Sequence, residues 1–351
     1  MDQKTCKGAA YAQKGKMDIV DVPMPQVGGD DILIKVEAVG ICGSDVHYAM
    51  DGRLGKYETP KGFILGHEAA GVVCEVGSNV TDRKVGDRVA IEPGYACGKC
   101  KYCREGKYNL CDKMIFMAHP DPVTNGAMRE YISWPAYSTF LLPDSMSFAE
   151  GAMIEPLNVA LQALKNSRLK AADTVVIFSA GPIGLMCMLA AKAYGACKVI
   201  VVERTQYRLE AAREMGADVI VNSSEEDVVE AVLSETGGMG ADVFLECSGA
   251  QQAYDVMADC VRKGGMITLV GLGTKQVYSF NAADIINKEI TITSVMRYDN
   301  LYEKAIRLVE AGLVDVNKLV THRLKLEDAE KGMNMMYNQL DGSIKIVLEM
   351  E

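Results

Sequence analysis

From Asp173 onward the chain is written as strand, helix, strand. Six apolar runs recur there (DTVVIF, KVIVV, DVIV, DVFLEC, GMITLV and EITITS), and segments of helical period lie between several of them, notably 183–194, 207–215, 226–236 and 253–261. Strands that alternate with helices pair in parallel, because a parallel neighbour is reached only through a crossover. The run therefore predicts an α/β fold built on a doubly wound parallel sheet.

The preceding residues are written differently. Up to about residue 155 the chain is rich in glycine and in short β-branched runs, at 31–39, 69–76 and 87–91, separated by turn signals such as Gly28-Gly29 and Gly77-Ser78-Asn79. That is the pattern of a small, curled, mostly antiparallel β unit. After about Lys288 the chain passes through MRYDNLYEKAIRLVEAG to the strand-like IKIVLEM, which we assign back to the first domain. The expected division is thus 1–155 with 290–351 for one domain and 156–289 for the other. A chain of 351 residues is long enough for both.

Bulk properties exclude several roles. The formal net charge of -10 repels a polyphosphate backbone, so nucleic acid is not the expected partner. No apolar run reaches the length of a membrane span, and the opening segment lacks the apolar core of a signal peptide. We expect a cytoplasmic protein. In that reducing compartment eleven cysteines, an odd number, read as metal ligands or core residues rather than as a disulfide framework.

Four of them, Cys97, Cys100, Cys103 and Cys111, fall in the single run CGKCKYCREGKYNLC. Thiolates so close together suit tetrahedral zinc, with ligands about 2.3 Å from the metal. Gly98 and Gly106 let the backbone wrap that tightly. An iron–sulfur cluster is the rival, but its bacterial form puts the last cysteine three residues on and follows it with proline. Here seven residues intervene and Asp112 follows. All four positions are filled, so this zinc is expected to be structural.

A second metal is expected in Cys42-Gly43-Ser44-Asp45-Val46-His47 together with Gly66-His67-Glu68 and Glu155. Zn²⁺ with one thiolate (Cys42), one neutral imidazole (His67) and one carboxylate is formally neutral. A second carboxylate would make the site an anion and weaken its pull on a substrate oxygen, so one of Glu68 and Glu155 is expected on the metal at a time. The fourth position is left for an alcohol, whose hydroxyl pKa zinc lowers as a Lewis acid. Asp45 is placed to orient His67 through its other ring nitrogen. Ser44 and His47 are the candidates for carrying the proton out to solvent.

The strand DTVVIF runs into Ser179-Ala180-Gly181-Pro182-Ile183-Gly184, a G-x-G-x-x-G fingerprint with Ser at the first position, and a helix follows. KVIVV then ends in Glu203, nineteen residues beyond Gly184. Gly181, Pro182, Ile183 and Gly184 would cradle a pyrophosphate at the helix N-terminus, and Glu203 would accept from the adenosine ribose hydroxyls, favouring NAD. Arg204 and Arg208 lie nearby and keep NADP open.

With these residues in place the chain resembles the zinc-containing medium-chain dehydrogenases, and within them the polyol dehydrogenases of the sorbitol (iditol) and xylitol type. The resemblance runs from about Met17 onward through GICGSDVHY, GHEAAGVV, GDRVAIEPG, the four-cysteine loop, NGAMREY, MIEPLNVALQA, AGPIG, LVGLG, MRYDN and LVTHRL. It implies a GroES-like β-rich catalytic domain with a Rossmann domain inserted before a C-terminal return. It also implies Cys42, His67 and Glu68 as catalytic zinc ligands, with Glu155 holding the zinc-bound water or ligating in turn. Tyr48, Phe116, Arg297 and Tyr298 would surround the substrate. Simple alcohol dehydrogenases of this family usually carry Cys where Glu155 stands, which points toward polyols. The expected protein is a homotetramer or homodimer that oxidises a polyol at a secondary hydroxyl to the ketose with zinc and NAD. A 2,3-butanediol or L-threonine dehydrogenase is the rival.

Overall fold

The strand Asp31–Gly40 is buried along most of its length because it is hydrogen-bonded on both edges. In the computed structural model, which describes residues 4–273 and 275–350, one edge pairs antiparallel with Glu68–Val76. The other edge is shared between Tyr131–Pro135, opposite residues 31–35, and Lys345–Glu349, opposite residues 38–40. Arg88–Ile91 and Thr139–Leu141 extend the sheet on one side and Val320–Lys325 on the other, giving seven strands. Its apolar residues, among them Ile32, Ile34, Val36, Val73, Val89, Ile91 and Trp134, form one core.

This sheet belongs to a unit made of Met1–Glu155, Tyr302–Glu310 and Val320–Glu351. Helix Tyr302–Glu310 joins it because Tyr302, Ala305, Ile306 and Val309 repeat at helical spacing and are all buried. Tyr302 anchors that face, stacking on Phe140 with ring centroids 4.7 Å apart and donating its hydroxyl to the Ile91 carbonyl at 2.9 Å.

The second unit comprises Pro156–Leu301 and Ala311–Leu319. Its six strands run parallel in the order Val219–Asn222, Lys198–Glu203, Thr174–Phe178, Ala241–Glu246, Val261–Leu269 and Thr291–Ser294. The chain therefore starts at the centre, winds outward to one edge, returns and winds to the other, as a doubly wound sheet does. The three strands at its centre are runs of Val, Ile, Phe and Leu buried on both faces. Residues 290–301, assigned from sequence to the returning segment, lie in this unit, because Thr291–Ser294 pairs with Val261–Leu269 and completes the sheet.

Candidate active site

Cys42 stands immediately before helix Gly43–Met50, and His67 begins the approach to strand Glu68–Val76. One buried carboxylate joins the two segments. Asp45 accepts from the backbone N–H of Cys42 at 3.1 Å and of Gly66 at 3.0 Å, and its Oδ1 lies 3.4 Å from His67 Nδ1. Gly66 has φ +90, and a Cβ there would come within 2.7 Å of Met128 and 2.9 Å of Val39. The sulfur of Cys42, a ring nitrogen of His67 and a carboxylate oxygen of Glu68 consequently lie within 4.8 Å of one another. Thiolate, imidazole and carboxylate with one position left over is the donor set of a catalytic zinc. Burial opposes charge on both Asp45 and His67. Their mutual attraction outweighs it, lowering the Asp45 pKa and raising that of His67.

Behind the trio lies a group that sequence reasoning missed. Lys345 is 2% exposed and directs its ammonium to the Ile41 carbonyl at 2.9 Å and to the Glu68 carboxylate, with Oε1 at 2.7 Å. Burial works against its charge, but Glu68, Cys42 and Glu155 outweigh that and hold its pKa above the usual lysine range. Gly40 makes room for the pair, since a Cβ there would sit 2.1 Å from Glu68 Oε2. The available signal was a lone lysine in the apolar strand Lys345–Glu349.

The helix Gly43–Met50 also carries Ser44, His47 and Tyr48. His47 Nδ1 lies 2.7 Å from Asp51 Oδ2, and Asp51 Oδ1 accepts from the Tyr337 hydroxyl at 2.8 Å. Asp51 and Tyr337 were not singled out from sequence, although Asp51 stands one helical turn after His47. Tyr48 is buried, and desolvation followed by Asp45 pushes its hydroxyl up to about 12, so it remains a donor. Phe116 places its ring centroid 5.6 Å from that of His67. Glu155 is buried in the helix Phe148–Ser167 of the same unit, outside the trio itself. Arg297, at φ +55, and the buried Tyr298 belong to the second unit.

Cys97, Cys100, Cys103 and Cys111 have their sulfurs within 4.8 Å of one another. Gly98 and Gly106 take φ +69 and +77, which lets the loop close around them. Backbone hydrogen bonds from Lys99 and Cys100 draw Cys97 down to about 6, and one from Cys103 lowers Cys100. Desolvation, then hydrogen bonding with the neighbouring thiols, pushes Cys103 up to about 12. Four sulfurs so arranged fit a closed tetrahedral zinc.

In the second unit Gly181 caps helix Pro182–Ala193, with Pro182 in its first turn. Gly184 is obligatory, because a Cβ there would lie 1.9 Å from the Ser179 carbonyl oxygen. Ser179 takes φ +99, and its hydroxyl accepts from the Gly181 N–H at 3.1 Å, so the substituted first position still closes the turn. Glu203 accepts from the N–H groups of Ala180 at 2.9 Å, Arg204 at 2.8 Å and Thr205 at 3.1 Å. Arg208 lies along Tyr207, its Nε 3.1 Å from the hydroxyl. A helix N-terminus cleared of side chains beside an acidic strand end fits a dinucleotide.

The profile of the alcohol dehydrogenase GroES-like domain matches residues 28–144, and that of the zinc-binding dehydrogenases matches residues 182–311. The sorbitol dehydrogenase of Bacillus subtilis (strain 168) is 42% identical, covering 97% of this chain and 96% of its own. This chain belongs to the zinc-binding dehydrogenases. Among the members of that family it resembles, the D-xylulose reductase A of Aspergillus oryzae is 37% identical over 94% of each chain. The crystal structure of an Escherichia coli oxidoreductase of unknown specificity superimposes with a TM-score of 0.93 at 37% identity, covering 99% of this chain and all of that one. No helix among the described residues is long and apolar enough to cross a membrane.

Proposed function

We propose that this zinc-binding dehydrogenase oxidises a polyol at a secondary hydroxyl to the ketose with NAD. The observation that carries the reading is the trio of half-buried Cys42 with buried His67 and Glu68, three donors of a four-coordinate site, with Ser44 and His47 on the adjoining helix. The sorbitol dehydrogenase and D-xylulose reductase relatives support the substrate class.

Cys42 and His67 would hold the catalytic zinc with one carboxylate, Glu68 or Glu155. The metal, when bound, supplies Lewis acidity that lowers the pKa of the alcohol. A carboxylate only accepts, so the contact with Asp51 keeps the proton of neutral His47 on Nδ1 and leaves Nε2 free to take another. Ser44 passes the alcohol proton to it. Tyr48, Phe116, Arg297 and Tyr298 would line the substrate. A polyol presents hydroxyls alone, so donors such as Tyr48 and acceptors such as Glu155 are what its recognition needs. Cys97, Cys100, Cys103 and Cys111 would hold a structural zinc.

Gly181, Pro182, Ile183 and Gly184 would receive the pyrophosphate, and Glu203 would exclude a 2′-phosphate. One unit-charge pair at about 4 Å costs on the order of 4 kcal/mol at an effective dielectric of about 20, before salt reduces it. The unpaired edge of strand Thr291–Ser294 and the exposed side chains of Leu272, Val277 and Ile286 support assembly as a homodimer or homotetramer. Eleven free thiols suit the cytoplasm.

The test is initial rates with NAD and a panel of sorbitol, xylitol, 2,3-butanediol, L-threonine and a simple secondary alcohol at alkaline pH. The highest kcat/KM is expected for a polyol. A higher value for butanediol or threonine overturns the substrate assignment, and preference for NADP overturns the role given to Glu203.

A further inference from the structure

Glu246 ends the strand Ala241–Glu246 and is completely buried, yet neither the metal nor the fingerprint uses it. Its Oε1 accepts from the Ser248 N–H at 2.7 Å, the Ser248 hydroxyl at 2.5 Å and the Gly249 N–H at 2.7 Å. Its main-chain carbonyl accepts from the N–H groups of Val270 at 2.8 Å and Gly271 at 2.9 Å. One residue thus holds two loops, 247–250 and 270–273, by both its side chain and its backbone. Its Oε2 has no hydrogen-bond partner.

The loops meet backbone to backbone. A Cβ on Gly271 would lie 2.3 Å from the Gly249 nitrogen, and one on Gly273 would lie 2.2 Å from the Gly249 oxygen. Tyr278 closes the seam by donating its hydroxyl to that same Gly249 carbonyl at 2.8 Å. Where the glycines meet, such a junction has no side chains of its own to adjust, so its position is set by the hydrogen bonds that hold it.

Its location gives the junction a purpose. In a doubly wound sheet a dinucleotide lies across the carboxyl ends of the strands, where the strand order reverses. Here the reversal falls between Thr174–Phe178 and Ala241–Glu246, and Phe178 and Glu246 are direct partners across it. The fingerprint and Glu203 lie to one side and would take the pyrophosphate and adenosine. The remaining half of the cofactor would then extend over the ends of Ala241–Glu246 and Val261–Leu269, toward the two loops that Glu246 ties.

We propose that Glu246 is a positioning residue for the nicotinamide half of the dinucleotide, acting through the loops 247–250 and 270–273. This rests on the reading of the second unit as an NAD site. Desolvation raises the Glu246 pKa despite its donors, and glutamine keeps the Oε1 acceptor. Glu246→Gln is therefore the conservative variant and Glu246→Leu the disruptive one.

The test compares NADH with ADP-ribose, which lacks only the nicotinamide, by calorimetric titration of the zinc-loaded enzyme and its variants. Glu246→Leu should weaken NADH by about tenfold or more, the equivalent of one or two lost hydrogen bonds, with ADP-ribose within about twofold of wild type. Glu246→Gln should restore NADH to within about threefold of wild type. Ser248→Ala, which removes one donor and keeps the carboxyl, should move the NADH to ADP-ribose ratio in the same direction by less. It decides the matter if Glu246→Leu fails to fold. Equal loss of both ligands, or no loss of either, overturns the proposal. Failure of wild type to bind NADH overturns the NAD reading, and this inference with it.

Discussion

A lysine ammonium inside an apolar strand costs several kcal/mol unless it is paired and hydrogen-bonded, and Lys345 is both. Removing one partner strands the other. Lys345→Met should therefore destabilise the protein by about 3–5 kcal/mol in chemical denaturation, and Lys345→Met with Glu68→Gln should recover part of it. Additive losses would mean that the pair is not coupled. Asp45 acts on the other side of the trio. Asp45→Asn should cost about 10–100-fold in zinc affinity, measured by chelator competition, because the neutral amide holds the His67 ring less firmly. Cys42, His67 and Asp45 were legible in the sequence because they stand together in two short segments that hold two of the only four histidines in the chain. Lys345 was not. Its meaning comes from pairing between Lys345–Glu349 and Asp31–Gly40, which no local pattern of residues encodes.

At the scale of elements, spacing was the readable signal. The alternation of apolar runs and helical segments located all six parallel strands, because each is bounded by glycine or polar turns. The point where the chain leaves the nucleotide unit was less legible, since EITITS resembles an edge strand of either sheet and only its pairing distinguishes them. Contacts of glycine yield a sharper expectation. Gly184→Ala places a methyl 1.9 Å from the Ser179 carbonyl, so helix Pro182–Ala193 must shift from its strand. Calorimetry should show NADH binding weakened by tenfold or more on the order expected for a misplaced helix N-terminus, while the zinc content is unchanged. Asp218 supplies a pH-dependent link in the same unit. Desolvation opposes its charge, but Lys192 at 2.8 Å and the Val199 N–H at 2.8 Å outweigh it and lower the pKa. A depressed carboxyl stabilises the fold above the usual carboxylate range and ceases to do so as pH falls through its lowered value. Denaturation midpoints of wild type and Asp218→Asn should therefore differ at neutral pH and converge on acidification. A gap that persists in acid would show that the carboxylate charge is not its source.

For the whole molecule, two zinc sites of different construction should differ in lability. Cys97, Cys100, Cys103 and Cys111 enclose their metal with four sulfurs, whereas the trio leaves a position open to a chelator. Mild chelation should remove about one zinc per chain together with activity and leave the other. Metal analysis that finds one zinc per chain, or iron, contradicts this. The four-cysteine loop was fully legible because its four candidate ligands fall in one short run of the sequence. The catalytic unit as a whole was harder to delimit, being assembled from three separate segments.

That discontinuity constrains the order in which a ribosome can deliver a working enzyme. The strand Lys345–Glu349 sits between Asp31–Gly40 and Val320–Lys325, so the catalytic sheet lacks an interior member until that late strand has been made. At about 5–20 residues per second, roughly 15–60 s separate the emergence of Asp31–Gly40 from that of its last partner. The nucleotide sheet, whose strands all lie within 174–294, can close during that interval. Throughout it the nascent catalytic sheet carries an uncovered edge and Glu68 waits without a counter-cation.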